Sequence, residues 1–120
     1  SIDGNSLVAN DFILHQNYPN PFNPHTTITY EIPYSGIVDV SIYNMLGQKV
    51  VTLVQSIQDI GSYNINWNGN DSIGRECSSG TYICKLQFED NILIKKMLKQ
   101  KYLEYCCIIV GFLIVIQVRS

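Results

Sequence analysis

Residues 27–32 read Thr-Ile-Thr-Tyr-Glu-Ile, and this hexapeptide indicates the fold class of the chain. Its apolar side chains at 28, 30 and 32 alternate with polar ones, which is the period of a β-strand with one buried face. Residues 33–36 (Pro-Tyr-Ser-Gly) follow as a turn. The apolar positions 38, 40 and 42 then repeat the alternation. The stretch therefore predicts two half-buried strands joined by a turn.

The same pattern continues downstream as far as residue 98. Residues 49–54 are rich in β-branched side chains, and three further alternating stretches follow them. Clusters of turn-forming residues separate these stretches, and no window of helical length has a 3.6-residue apolar period. Short strands at such spacing predict an all-β, antiparallel sandwich. The large aromatic side chains expected to dominate its core are Tyr63, Trp67 and Tyr82.

Upstream of these strands lies a proline-rich segment, residues 17–24. It reads Asn17-Tyr18-Pro19-Asn20-Pro21-Phe22-Asn23-Pro24. Proline fixes φ and lacks an N–H donor, and it drives the preceding residue into extended geometry. The segment therefore can be neither helix nor central strand. We expect a stiff entry to the first strand, with Tyr18 and Phe22 anchoring it against the core.

Composition and charge argue against some classes of function. The chain has 120 residues, enough for one domain, with a net charge of −2 and 15% charged residues. Because no basic stripe is present, nucleic-acid binding is not expected. The first residues lack the basic start and apolar region of a signal peptide. Their polar composition favours a linker from a preceding domain of an exported protein over an intracellular chain.

Catalytic and metal-binding patterns are missing from the sequence, so we predict neither an enzyme nor a cofactor. His15 and His25 have no metal-ligand spacing, and there is no serine nucleophile motif or carboxylate pair. Residues 68–74 loosely resemble a calcium loop, with oxygen-bearing side chains at Asn68, Asn70 and Ser72. A serine, Ser79, stands where the bidentate glutamate belongs, so a tight turn is the better interpretation.

The cysteines and the C-terminal tail leave alternatives open. Cys77 and Cys84 either remain thiols or pair as a disulfide if the chain reverses between them. Residues 106–116 carry no charge but are too short for a comfortable membrane helix. For this tail we keep four readings: membrane contact, an extra packed strand, a disordered sticky end, and an artefactual extension of the reading frame.

Five sequence blocks resemble one family in order and spacing. They are residues 17–24 followed by the pattern Thr-x-Ile-x-Tyr, residues 42–50, residues 67–74, residues 79–82 and residues 95–98 (Lys-Lys-Met-Leu). Together they closely resemble the type A C-terminal sorting domain of the type IX (Por) secretion system, over roughly residues 13 to 99. That resemblance implies an immunoglobulin-like antiparallel sandwich of about seven strands, similar to a domain of the flagellar hook-capping protein.

The resemblance also implies an address rather than a catalyst. Such domains direct an exported protein from the periplasm across the outer membrane of Bacteroidota-like bacteria, to the surface or the medium. The expected partners are the type IX translocon and a sortase that removes the domain and links the cargo to a surface anchor. The expected division of the chain is a linker over residues 1–12, the sandwich over 13–99 and an atypical tail over 100–120, in a monomer.

Recognition is expected at the last predicted strand. Lys95, Lys96 and Lys99 are the candidate residues for contact with the translocon, and the strand's edge is a candidate for pairing with a strand of that partner. The alternative function is a non-catalytic adhesion or carbohydrate-binding module. That alternative would require exposed aromatic side chains gathered on one face, with Tyr18, Phe22, Tyr34 and Tyr43 as the candidates.

Overall fold

The computed structural model describes residues 11–100, 102–107 and 114–119. Every regular element in these ranges is a β-strand. The strands are β1 (Ile13–Leu14), β2 (Thr26–Ile32), β3 (Gly36–Asn44), β4 (Lys49–Gln58), β5 (Gly61–Trp67), β6 (Gly80–Phe88), β7 (Asn91–Lys99), β8 (Tyr102–Cys107) and β9 (Ile114–Arg119).

Seven of these strands form two antiparallel sheets. The three-stranded sheet has the order β1-β2-β5, and the four-stranded sheet has the order β4-β3-β6-β7. Within the four-stranded sheet the register aligns Val40 with Leu86 and Leu86 with Leu93, so inward positions stay inward from strand to strand. The predicted all-β sandwich is therefore confirmed, including its number of strands.

The core lies between the sheets and follows the alternation of the sequence. Ile28, Tyr30 and Ile32 of β2 are fully buried, and they form one cluster with inward residues of β3 and β6. Trp67 and Tyr82 are buried as predicted, and their rings meet edge to face at 5.5 Å. Tyr63 is only half-buried: it packs against the core from outside, with its ring stacked on that of Tyr30.

The C-terminal tail contains a separate two-stranded pairing. β8 and β9 are antiparallel, with Tyr102 opposite Arg119 and Cys107 opposite Ile114. The rest of the tail and residues 1–10 of the expected linker lie outside the described residues. Among the described residues, no helix is long and apolar enough to cross a membrane.

Candidate functional site

The proline-rich segment lies against the outer edge of β7. The backbone N–H of Phe22 donates to the carbonyl of Leu98 at 3.0 Å, and the N–H of Gln100 donates to the carbonyl of Phe22 at 2.8 Å. This is a short parallel bridge between Phe22 and the end of β7. The segment at the start of the domain is thereby joined to the strand at its end.

Side-chain amides complete this contact where prolines have no N–H to offer. The amide nitrogen of Gln16 donates to the carbonyl of Lys96 at 2.7 Å, and the side-chain oxygen of Asn20 accepts from the N–H of Leu98 at 2.9 Å. Four backbone polar groups at the edge of β7 and directly after it, on residues 96, 98 and 100, are thus hydrogen-bonded within the domain. We call this contact, residues 16–22 on residues 96–100, the edge seal.

A buried polar network shapes the segment itself. Asn17 is buried, and its amide nitrogen donates to the hydroxyl of Thr26 at 2.9 Å and to the carbonyl of Pro19 at 3.2 Å. The hydroxyl of Thr26 donates to the same carbonyl. Because buried polar groups are costly when unpaired, this network holds the chain reversal between residues 17 and 26 in one arrangement.

Of the two aromatic residues predicted to anchor the segment, only Phe22 does so. Phe22 is buried to 1% exposure, and its ring lies 5.5 Å from that of Trp67. Tyr18 is 80% exposed, so its predicted anchoring role is wrong. The reason is that Tyr18 pairs with Thr27 through its backbone while its neighbour Asn17 takes the inward position.

Lys99 lies in the interior rather than on the surface. Its side chain is fully enclosed, and its Nζ reaches the half-exposed carboxylate of Glu76 at 3.4 Å. The lysine stem crosses Gly69, where a Cβ would stand 2.7 Å from Lys99 Cε and 3.0 Å from the carbonyl oxygen of Pro24. Only a glycine leaves room here, and its φ of 82° also favours glycine.

These contacts change the expectation for the three lysines. The fold places Lys99 out of reach of a partner, leaves Lys95 half-buried on the inward row of β7, and exposes Lys96 on the outward row. The expected strand pairing at the edge of β7 stays a prediction, and at residues 96–100 it would have to replace the backbone hydrogen bonds of the edge seal.

Comparisons with known proteins identify the family of this β-sandwich. The sequence model of one family, described as a secretion system C-terminal sorting domain, matches residues 16–100. The chain belongs to this family. The matched range begins at Gln16 and ends at Gln100, the two ends of the edge seal. It is a sorting domain of type IX secretion, which directs export to the cell surface or the medium, and the family is not catalytic.

One solved structure is similar to the sorting domain in fold. It is PorZ of Porphyromonas gingivalis, described as an essential bacterial surface component of the type IX secretion system. The similarity has a TM-score of 0.52 at 18% identity, and it covers 72% of this chain and 11% of that one. At this identity the likeness concerns the fold alone. No curated protein sequence matches the chain.

The calcium-like loop of the sorting domain is closed in part by its own hydrogen bonds. The carboxylate of Asp71 accepts hydrogen bonds from the N–H groups of Ile73 and Arg75 and from the Arg75 guanidinium. The bond from the Arg75 backbone is the main cause that lowers the pKa of Asp71. Asn68 likewise accepts from the N–H of Asn70. The loop is a turn that presents Gly69 to Lys99.

Cys77 and Cys84 are cysteines of the sorting domain whose thiols have raised pKa values. Burial raises the pKa of the Cys84 thiol to about 12, and burial also raises that of Cys77. Both are free thiols, so the disulfide that the sequence left open is not formed. Since the thiolate is the nucleophile, neither cysteine is prepared for attack at neutral pH. His15 pairs with Glu31 at 2.9 Å on the surface.

The aromatic candidates for sugar binding do not form a platform. Phe22 is buried, and Tyr34 packs against Phe88 with ring centroids 4.9 Å apart. Tyr18 belongs to the edge of the three-stranded sheet, whereas Tyr43 lies on the four-stranded sheet. Stacking on a glycan requires aromatic faces grouped on one surface, so this arrangement does not favour the adhesion alternative.

Sequence reasoning missed the interior role of Lys99 and the contribution of Gln16. A signal for Lys99 was present, because it shares the parity of Leu93 and Met97, which turn inward along β7. No local signal was available for Gln16, since its partner Lys96 lies 80 positions away.

Proposed function

We propose that the sorting domain is read by the type IX translocon as a folded object, through a fixed surface. The observation that supports this proposal is the family match over residues 16–100, which covers every strand of the sandwich except β1 and includes both ends of the edge seal. The edge seal joins the first and last parts of the domain. Residues 16 and 100, the two ends of the matched range, are therefore close together only when the sandwich is folded. A preformed surface also requires little ordering when it binds.

The finer steps belong to the same proposal. The cargo precedes the domain through a linker over residues 1–12 and reaches the translocon from the periplasm. After passage across the outer membrane, a sortase removes the domain and attaches the cargo to a surface anchor. The polar composition of the chain before Phe12 suits proteolytic access, because linkers and termini with polar residues are preferred sites of cleavage. The domain acts as a monomer and uses neither metal nor cofactor.

Lys96 is the lysine that we keep as a candidate contact with the translocon. Its side chain is exposed on the outer face of the four-stranded sheet. Lys95 is a weaker candidate because its side chain is half-buried, and Lys99 is kept only as an interior residue of the fold.

The test is export of a reporter in a host that has the type IX system. A reporter carrying its own N-terminal signal is fused to residues 1–120 and, in parallel, to residues 1–99 or to residues 1–15 alone. We expect the fusions that contain the sandwich to reach the medium or the surface, and the short fusion to stay in the periplasm. Equal export from a strain lacking the translocon would refute the proposal.

A further inference from the structure

The two outer faces of the sandwich differ in chemistry. On the three-stranded sheet, Thr27 donates to Asn66 and Thr29 donates to Asn64, so the face is a row of satisfied polar pairs. On the four-stranded sheet the outward row of β7 is mostly apolar: Ile92, Ile94 and Leu98 are 53%, 58% and 42% exposed. Grouped exposed apolar side chains are uncommon on soluble domains and mark interaction sites.

Neighbouring strands extend this apolar surface. Ile83 of β6 lies between Lys96 of β7 and Tyr43 of β3 in the register of the sheet. Beside it, a surface depression of about 340 Å³ is lined by Tyr43, Met45, Ile83 and Lys85. We call the outward residues Tyr43, Ile83, Lys85, Ile94, Lys96 and Leu98 the outer patch.

Two lysines lie inside the outer patch, and neither has a carboxylate partner among the residues that the structure describes. Lys85 Nζ lies 5.1 Å from the centroid of the Tyr43 ring, and among the described residues no acidic side chain pairs with Lys96. Asp39 is the acidic residue on the outward row of β3, and its oxygens already accept from Ser41 and Gln55. The patch is therefore apolar with unneutralised positive charge.

We propose that the outer patch is the docking face for an apolar protein surface bearing carboxylates, on the export machinery that reads this domain. The proposal rests on the function proposed above and assigns it to one face. A lysine that loses water in an interface needs a carboxylate partner to offset its desolvation. A second copy does not provide one, because a symmetric dimer through this face would place lysines near lysines.

The experiment uses the reporter fused to residues 1–120, with paired variants on the two outer faces. Ile94→Ser and the double variant Lys85→Glu/Lys96→Glu should each lower export by about tenfold, which corresponds to the loss of about 1.4 kcal/mol at an interface. Lys85→Arg/Lys96→Arg should retain export because it keeps the charge. Asn64→Glu, the matched control on the polar face, should be exported like the parent.

All these positions are outward, so circular dichroism melting of the purified chains should show unchanged folding. The proposal is refuted if both patch variants are exported like the parent, or if Asn64→Glu lowers export as much as they do. It is also refuted if the parent sediments as a dimer that Ile94→Ser dissociates, or if it binds phosphatidylglycerol vesicles in a way that the glutamate variant abolishes. If the parent itself is not exported, the proposed function fails and this inference fails with it.

Discussion

Replacing Phe22 by alanine should remove a large part of the domain's unfolding free energy. The reason is that this one residue contributes to both the core and the edge seal. The Phe22 ring is 1% exposed and contacts Trp67, and its backbone bonds to Leu98 and Gln100 hold the end of β7. Truncating a buried phenylalanine typically costs about 3–5 kcal/mol. A domain of this kind has a total unfolding free energy of about 5–15 kcal/mol.

Tyr18 provides the matched control within the same segment. It is also aromatic and also lies next to a proline, but its side chain is 80% exposed. Tyr18→Ala keeps the backbone pairing with Thr27 and should change the unfolding free energy by less than about 0.5 kcal/mol. Phe22→Leu, which keeps most of the buried volume, should lie between the two at less than about 1.5 kcal/mol.

The assay is urea unfolding of the full chain, monitored by tryptophan fluorescence because Trp67 contacts Phe22 directly. The slope of free energy against urea should stay constant among the variants, so that midpoints report stability. In thermal melts, Phe22→Ala should lower the melting temperature by more than about 10 °C. A cost below about 1 kcal/mol for Phe22→Ala, or an equal cost for Tyr18→Ala, would refute the anchoring role assigned to Phe22.

Three further predictions concern the interior. Gly69→Ala should destabilise the domain more than Gly74→Ala in urea unfolding: both have positive φ, but only at 69 would the Cβ meet Lys99 and Pro24. Lys99→Ala should cost about 2–5 kcal/mol and Lys99→Met less than about 1.5 kcal/mol, because methionine keeps the buried stem; equal costs would contradict the packing role. Burial raises the pKa of Tyr30 from 10.0 to about 12. Between about pH 10 and 12 the folded state therefore keeps a proton that the unfolded state loses, so the stability that Tyr30 contributes is complete below about pH 10 and declines as the pH rises towards 12. In urea unfolding at several pH values, the Tyr30→Phe variant should show a shallower decline of the unfolding free energy with pH. An unchanged decline would refute the raised pKa of Tyr30.

The strands of the sandwich could be predicted because their information is local. In β2 and β6 the period of two separates inward from outward side chains, and burial follows that period residue by residue. The two-residue strand β1 could not be predicted, because Ile13 and Leu14 are too few to show a period.

The candidate site was only partly predictable, because its contacts are long-range. The prolines indicated an irregular, stiff segment, but no pattern in the sequence predicted that it contacts residues 96–100. Tyr18 and Phe22 are both aromatic residues of the same segment, but Asn17 takes the inward position beside Tyr18, and only the Phe22 ring is buried. Lys99 looked like a surface charge because lysine is rarely enclosed, yet a glycine 30 positions earlier leaves the space for its stem.

The edge seal also limits how the domain can be recognised. An unpaired strand edge invites pairing with any other chain, and natural proteins close such edges with prolines or covering loops. Here the proline segment performs that role for residues 96–100, and the amides of Gln16 and Asn20 provide the hydrogen bonds that prolines cannot. A partner that recognised this part of β7 by strand pairing would first have to displace Phe22 from the core. A partner that reads the outer face needs no such rearrangement, because Ile94, Lys96 and Leu98 are exposed while the seal is intact. The structure therefore favours recognition by face over recognition by edge.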